Sequence, residues 1–292
     1  MERLLVVFVG FLDGKSERRK DRLWGLGGAG SEEENGKKWG LLVVDSPNSG
    51  GTPNNLFGTI PTEIGYLRSL TSLGLRTNYL NSSIPTSLGN LTSLSSLYLH
   101  ENHLSGSIPA SLGNLTSLSG LYLNQNNLSC SIPEEIGYLS LTSMYLRENH
   151  ISSSIPEEIG NLKTLSYLDL STNFLNGSIP SSLGNLNNLY LLSLYANNLS
   201  GSIPRDNNFT EKIPSSFCNL IKLKVMHLGR NNLKGAIPQC IGNMGGHLEV
   251  LHIHQNNLYG TLPETFRIGS VLVSLDLHDN ELEGKIPPSF AN

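Results

Sequence analysis

The sequence predicts an α/β-class repeat fold, a right-handed solenoid with one concave parallel β-sheet and short helical turns on its convex side. Three observations predict it. Only 15% of the 292 residues are charged, and leucine, serine, asparagine and glycine dominate instead, which is typical of a repeated unit. A segment with alternate leucines recurs along the chain, and one asparagine marks each unit. These asparagines are spaced by 23 to 25 residues, except for one interval of 10.

Two stretches of the chain show the repeated unit. LYLHENHLSGSIPASLGNLTSL begins at Leu97, and LYLNQNNLSCSIPEEIGYLSL begins at Leu121. Their shared frame, L-x-x-L-x-L-x-x-N-x-L-x-G-x-I-P-x-x-L-G-x-L, recurs in phase and identifies a leucine-rich repeat solenoid. The marker asparagines are Asn54, Asn78, Asn102, Asn126, Asn149, Asn173, Asn197, Asn207, Asn231, Asn256 and Asn280.

The first half of each unit predicts a strand followed by a turn. In L-x-L the leucines alternate with polar residues, as in a short strand with one buried face. Each coil then adds one parallel strand to a common sheet. The asparagine carries both donors and acceptors, so we expect it to face inward and bond the turn backbone of its own and the adjacent coil.

The second half predicts the return across the convex side. Ile-Pro suits an extended, polyproline-like segment, where the missing N–H of proline leaves no partner unpaired. The preceding glycine tolerates tight backbone approach. We expect the following L-G-N-L segment to form a short helical turn.

The chain divides into two parts. Residues 1–51 are predicted to be a low-complexity or disordered leader, and GLGGAG within it lacks the flanking strand and helix of a dinucleotide site. Residues 1–14 have a signal-like start, because nine apolar residues follow a basic N-terminus, but charged residues follow where a cleavage site would stand. A signal peptide and a disordered leader both stay open. Residues 52–292 are the repeat domain, which we expect to be uncapped at both ends.

One repeat, at residues 203–213, is truncated. The pair Ile-Pro occurs there twice, ten residues apart, and ten residues cannot circle the solenoid and also supply a strand. Either the sheet breaks or the strands on both sides pair directly, and the second outcome keeps the backbone hydrogen bonded. We therefore expect residues 189–197 to pair with residues 223–231 in one 34-residue coil, with about ten residues of 201–212 forming a loop.

Coils containing IPEEIGYL, IPEEIGNL, IPTSLGNL and IPASLGNL, and the stretch from Tyr259, resemble plant extracellular leucine-rich repeats. They are similar to the Cf class of plant receptor-like proteins, which are immune receptors, and to related leucine-rich repeat receptor kinases. The resemblance implies an extracellular or cell-surface ectodomain, or a fragment of one, that signals by binding a protein or peptide ligand, with a co-receptor kinase as a further partner. The cysteine-paired cap and membrane helix of that class do not appear in the sequence.

The outward positions of the concave strands are the candidate ligand site. Tyrosine stands inside L-x-L in three successive coils, at Tyr98, Tyr122 and Tyr145, and should form a stripe about 10 Å long. Exposed aromatic residues beside arginine are typical of interface hot spots. Tyrosine also packs well on any pleated surface, and that interpretation stays open. The candidate ligand-binding residues are Tyr98, His100, Tyr122, Tyr145, Arg147 and Tyr195.

Histidine and cysteine give weaker signals. Four histidines on three neighbouring strands could bind a metal or respond to pH, but solvated polar positions explain them more simply, and we predict no metal site. They are His227, His252, His254 and His278. Cys218 and Cys240 fall on adjacent convex turns and could form a disulfide bond, and we expect Cys130 to be a buried or half-buried free thiol.

The remaining features of the sequence limit the possible functions. No catalytic constellation or cofactor motif occurs, so we predict no enzyme, and the net charge of −4 gives no sign of a nucleic-acid partner. No apolar run is long enough to span a bilayer. Asparagine glycosylation sequons permit secretion, at Asn81, Asn90, Asn114, Asn127, Asn176, Asn198 and Asn208. A soluble inhibitor of secreted pathogen glycanases is the alternative to a receptor ectodomain, and a cytosolic location follows if the leader is not a signal peptide.

Overall fold

The computed structural model of the chain describes residues 33–34, 37–38, 55–200, 213–264 and 271–288. Glu33–Glu34 and Lys37–Lys38 pair as a short antiparallel sheet, which the sequence analysis did not predict. The rest of the 1–51 leader, together with Asn54 and Asn207, lies outside the described residues. No helix of the described part of the chain has both the length and the apolar character needed to cross a bilayer.

The L-x-L segments form a parallel sheet of nine described strands, which confirms the predicted concave sheet. Each pair of neighbouring strands aligns equivalent residues, so that Tyr98 lies opposite Tyr122 and Tyr122 lies opposite Tyr145. The residues on both sides of each tyrosine, which are leucines except for Met144, are fully buried, as alternation in a half-buried strand requires. The strands are Ser72–Gly74, Ser96–Tyr98, Gly120–Tyr122, Ser143–Tyr145, Tyr167–Asp169, Leu191–Ser193, Val225–His227, Val250–His252 and Ser274–Asp276.

The sheet continues without a break across the truncated repeat. Leu191–Ser193 pairs in parallel with Val225–His227, and the N–H of Leu194 donates to the carbonyl oxygen of His227 at 2.8 Å. This confirms the prediction of direct pairing. The expected loop at residues 201–212 lies outside the described residues.

A second row of parallel strands follows the asparagine turn in each coil, and the sequence analysis did not predict it. It comprises a sheet of seven described strands and, past the truncated repeat, a sheet of three. The strands are Phe57–Gly58, Tyr79–Ser83, His103–Ser107, Asn127–Cys130, His150–Ser153, Phe174–Gly177, Asn198–Leu199, Lys234–Gly235, Asn257–Thr261 and Glu281–Glu283. The backbone of each coil therefore has two extended segments, one before and one after the asparagine turn.

The marker asparagines form the predicted buried column. Asn102 donates from Nδ2 to the carbonyl oxygen of Leu75 in the preceding coil at 2.9 Å and to that of Leu99 in its own coil at 3.1 Å. Its Oδ1 accepts from the N–H of Leu80 at 3.0 Å. One amide thus pairs backbone groups of two coils, which a buried turn needs because an unpaired backbone group there is costly.

The convex side consists of short 3-10 helices, as predicted in outline. The proline before each helix is extended, with φ −72° and ψ 138° at Pro85, and the helix then closes with a bond from the N–H of Leu88 to the carbonyl oxygen of Pro85 at 3.1 Å. The helices are Thr62–Tyr66, Thr86–Asn90, Ala110–Asn114, Glu134–Tyr138, Glu157–Asn161, Ser181–Asn185, Ser215–Asn219 and Gln239–Gly246. Their inward leucines and isoleucines complete one continuous apolar core with the strand leucines.

Candidate functional site

Three tyrosine rings stack along the concave sheet. The ring centroids of Tyr98 and Tyr122 are 4.7 Å apart at an interplanar angle of 13°, and those of Tyr122 and Tyr145 are 5.5 Å apart at 11°. The stack forms because parallel register places one tyrosine beside the next at the spacing of neighbouring strands. All three side chains are half-buried, so their edges remain open to a ligand. Burial, followed by the neighbouring Tyr122, raises the pKa of the Tyr145 hydroxyl and keeps it protonated.

Gly120 provides the space for the central ring. A Cβ atom at residue 120 would lie 2.8 Å from Cε2 of Tyr122, so the ring leans over a backbone that has no side chain. Ser96 and Ser143 occupy the equivalent positions beside Tyr98 and Tyr145. Gly120 was not among the predicted site residues, although its place two residues before a tyrosine on the same strand face was visible in the sequence.

Polar groups flank the tyrosine column on its C-terminal side. His100 lies 6.2 Å from both Tyr98 and Tyr122 between ring centroids, and its Nδ1 is buried with no hydrogen-bond partner among the described residues. Burial lowers the pKa of His100 and outweighs the opposite effect of Glu101, so the imidazole stays neutral near pH 7. Arg147 forms an ion pair with Glu148 at 2.8 Å.

Tyr195 does not join this column. Its ring lies 5.9 Å from that of His254, and the Arg230 guanidinium lies 5.5 Å from its centroid. The predicted ligand residues therefore form two groups. Tyr98, His100, Tyr122, Tyr145 and Arg147 are one group, and Tyr195 belongs with the histidines.

The four histidines do come together on three neighbouring strands. His227 stacks on His252 at 4.7 Å between centroids, and His254 stacks on His278 at 4.6 Å. Burial, with His252 next in importance, lowers the pKa of His227. Asp276 is a further member, because its Oδ1 accepts a hydrogen bond from Nδ1 of His278 at 2.6 Å. The sequence placed Asp276 on the same face, two residues before His278, but did not connect it with the histidines.

The cysteines differ in part from expectation. Cys218 and Cys240 form a disulfide bond that joins the 3-10 helices Ser215–Asn219 and Gln239–Gly246 of adjacent coils. Cys130 is free, but it is exposed, so the prediction of a buried or half-buried thiol was wrong. The reason is that Cys130 occupies the glycine position of its coil, where the backbone is left-handed at φ 66° and the side chain points outward.

The glycosylation sequons lie away from the concave strands. The candidate asparagines within the described residues are all exposed: Asn81, Asn90, Asn114, Asn127, Asn176 and Asn198. Four of them stand on the second row of strands, and Asn90 and Asn114 end 3-10 helices. Asn208 lies outside the described residues. None of these six asparagines stands on a concave strand.

Comparisons with known proteins agree with this architecture. Two sequence profiles, each described as a leucine-rich repeat, match residues 68–128 and residues 140–162, 164–186, 222–244, 247–267 and 271–292. These segments together comprise more than half of the 292 residues. No curated protein sequence matches the chain.

Solved structures extend the comparison. The chain is similar to a TDR receptor at 36% identity with a TM-score of 0.75, over 81% of this chain and 39% of that one. It is similar to the Arabidopsis receptor kinase HAESA, solved with the peptide hormone IDA and the co-receptor SERK1, at 36% identity with a TM-score of 0.73, over 82% and 39%. It is also similar to a plant ice-binding protein at 26% identity with a TM-score of 0.68, over 88% and 77%. The chain thus spans about two fifths of the two receptors that it matches.

Proposed function

Since this chain belongs to the leucine-rich repeat proteins, we propose that it is a non-catalytic recognition module whose concave sheet binds an extended peptide or a segment of a protein. The fold alone does not decide this, because receptors and an ice-binding protein share it. The observation that carries the proposal is the half-buried column of Tyr98, Tyr122 and Tyr145.

The chemistry of the column suits a peptide. Tyrosine offers a rigid apolar ring and a hydroxyl with little conformational entropy to lose, which is why it is enriched at binding hot spots. The neutral His100 adds apolar surface beside the rings, and Arg147 adds a positive charge at one end. Because Arg147 is about 40% exposed and its ion pair with Glu148 is worth little in water, a ligand carboxylate can replace Glu148. The expected ligand thus combines apolar side chains with an acidic group.

An extracellular location is part of the proposal. The Cys218–Cys240 disulfide is typical of proteins that fold in an oxidising compartment. Exposed sequons away from the concave sheet fit a glycoprotein whose binding face stays open. A mobility shift on glycosidase treatment of the chain, expressed in plant cells with its own N-terminus, would support this location. An unshifted chain would contradict it.

The parent protein is the finer proposal. We propose an ectodomain, or a fragment of one, of a plant receptor-like protein in immunity, as the Ile-Pro coils suggest. The ectodomain of a leucine-rich repeat receptor kinase is the second candidate, because the receptors similar to this chain include one bound to a peptide hormone and a co-receptor. A co-receptor kinase is then a further expected partner.

Selection from a random linear peptide library displayed on phage tests the recognition function. The full glycosylated chain is the target, and the triple variant Y98A/Y122A/Y145A is used for counter-selection. Selected peptides should bind the unmodified chain and should lose binding to the variant by about a hundredfold, because each anchoring tyrosine is expected to contribute more than about 1 kcal/mol.

A matched control removes three aromatic side chains from the second row of strands. Phe57, Tyr79 and Phe174 are exposed there, so F57A/Y79A/F174A should leave peptide binding unchanged. Equal binding to both triple variants would contradict the proposal. If instead the chain selects no peptide but inhibits a secreted fungal polygalacturonase, the glycanase-inhibitor alternative replaces it.

A further inference from the structure

A second cluster of polar side chains, two histidines and one aspartate, lies elsewhere on the concave sheet. His254, Asp276 and His278 each offer a potential ligand atom, and these atoms all lie within 4.8 Å of one another. The cluster is built by two adjacent strands, since Val250–His252 pairs with Ser274–Asp276 and the two histidines follow these strands at equivalent positions. It is separate from the tyrosine column, so the inference does not depend on the proposed peptide function.

His254 has an unusual hydrogen-bonding state. Its Nδ1 atom is buried and has no hydrogen-bond partner among the described residues, although Oδ2 of Asp276 lies only 3.2 Å away. The two atoms are close, but no hydrogen bond joins them. A separation of about 3.3 Å is expected between two ligands that are each about 2.0 Å from a tetrahedral ion. This arrangement therefore suits a shared cation better than a shared proton.

The surrounding backbone holds the His254 ring in this place. A Cβ atom at residue 229 would lie 2.8 Å from Cε1 and 2.9 Å from Nδ1 of His254. The ring can therefore occupy this position only because residue 229 is glycine. The His278 ring stacks on the His254 ring at 4.6 Å between centroids, and its Nδ1 is bonded to Oδ1 of Asp276 at 2.6 Å. The carboxylate thus contacts both imidazoles. The His254 side chain is only 13% exposed, whereas that of His278 is 54% exposed, so the site is buried on one side and open on the other.

We propose that His254, Asp276 and His278 form a binding site for a divalent transition-metal ion of the zinc class. Two imidazole nitrogens and one carboxylate oxygen suit Zn²⁺, Cu²⁺ or Ni²⁺, whereas Mg²⁺ and Ca²⁺ prefer all-oxygen ligands. Three protein ligands leave a fourth position open, as in zinc sites that bind an exchangeable molecule. The His278 side chain is 54% exposed, so solvent and a small ligand can reach the site from that side.

The charges nearby act on a cation in both directions. Asp279 adds a second carboxylate, whose Oδ2 lies 3.8 Å from Nε2 of His278. Arg230 carries a positive charge that acts on His254 and therefore opposes a bound cation. Its Nε donates to Oε1 of Gln255 at 2.8 Å and its guanidinium lies against Tyr195, and these contacts hold it beside the site.

Calorimetric titration of Zn²⁺ into the full chain tests the proposal. The chain is purified without a polyhistidine tag, because a tag would itself bind Zn²⁺. Bound metal is removed before the titration. We expect one saturable site per chain near neutral pH. The variants D276N and H278Q should each weaken binding by about tenfold or more, and excess Mg²⁺ should not compete. Circular dichroism of the variants checks that the solenoid is intact.

Two controls locate the ion. H227Q removes an imidazole of the same sheet outside the triad and should leave the affinity unchanged. G229A adds the Cβ that displaces His254 and should weaken binding without removing a ligand. The d–d absorption of Co²⁺ bound in place of Zn²⁺ should show a tetrahedral site. The absence of a saturable site, or equal affinity in H278Q and H227Q, would overturn the proposal and leave the cluster as a hydrogen-bonded polar surface.

Discussion

Asn231 donates from Nδ2 to the carbonyl oxygen of Leu194 at 2.9 Å, although 37 positions separate the two residues. In two regular coils the equivalent bond spans 27 positions, at 2.9 Å from Asn102 and 3.0 Å from Asn126. Oδ1 of Asn231 also accepts from the N–H of Leu199 at 3.0 Å. The asparagine column therefore keeps its geometry across the truncated repeat, and the length of the intervening chain does not alter the register of the sheet.

Asn231→Ala should reduce stability by about 3 kcal/mol, because it leaves several buried backbone groups without a partner. Urea unfolding measures the loss. Asn102→Ala in a regular coil should cause a similar loss, and Asn232→Ala on the adjacent exposed side chain should stay within about 0.5 kcal/mol of the original. If Asn231→Ala were as harmless as Asn232→Ala, the column would not be what aligns the coils at this point.

Deletion of residues 203–212 should leave the fold intact. The product reads NLSGSIPSSF, which restores the 24-residue interval between Asn197 and the asparagine now at 231. Because the flanking strands already pair directly, we expect an unchanged far-ultraviolet circular dichroism spectrum and a slightly higher melting temperature from the shorter connection. Loss of cooperative unfolding in the deletion variant would show that the ten residues themselves support the sheet.

The sequence predicts most of this fold because the repeat frame is a local rule applied many times. Alternation in L-x-L places Leu97 and Leu99 inside and Tyr98 outside, without knowledge of any distant contact. The second row of strands was missed because N-x-L-x-G alternates over too few residues to separate a strand from a turn. The structure at the truncated repeat could still be predicted, because only direct pairing of the flanking strands leaves their backbone groups hydrogen bonded.

Side-chain geometry was harder to predict. Parallel register alone brings Tyr98, Tyr122 and Tyr145 together, so the column was visible in the sequence. The cluster of His254, Asp276 and His278 depends on the side-chain conformations of the histidines. His254 contacts Asp276 because Gly229 leaves space for its ring. The exposed state of Cys130 was missed for a similar reason, since its left-handed backbone reverses the direction in which a strand residue would point.

The Cys218–Cys240 disulfide should stabilise the coils that follow the truncated repeat. It closes a loop of 22 residues, for which the entropic estimate is about 3 kcal/mol. The double variant C218A/C240A should unfold at a lower urea concentration, and a reductant should shift the original chain to the same midpoint. C130S is the matched control, because Cys130 is an exposed free thiol whose replacement should leave the midpoint and its response to reductant unchanged.

His100 should make stability depend on pH below neutrality. Burial lowers the pKa of its imidazole, with Arg76 and Arg147 acting in the same direction and Glu101 in the opposite one. The unfolded chain then binds the proton first. Stability is therefore complete above about pH 6.5 and falls as the pH decreases toward the folded-state pKa.

The variant H100Q tests this dependence. Between about pH 6.5 and 5 its unfolding free energy should fall less steeply than that of the original chain, by at most about 1.4 kcal/mol per pH unit for one proton. Urea titrations at several pH values supply the slopes. H103Q replaces an exposed histidine of the same coil and should preserve the original slope. A slope in H100Q equal to that of H103Q would contradict the prediction.

Gly120→Ala should disturb the tyrosine column without disturbing the solenoid. The added Cβ would lie 2.8 Å from Cε2 of Tyr122, so the ring must move, and its stacking on Tyr98 and Tyr145 must change with it. We expect an altered near-ultraviolet tyrosine spectrum and about tenfold weaker binding of a selected peptide. Ser143→Ala at the equivalent position of the next coil shortens a side chain that is already accommodated, so it should change neither. If the two variants behaved alike, the position of the Tyr122 ring would not determine recognition.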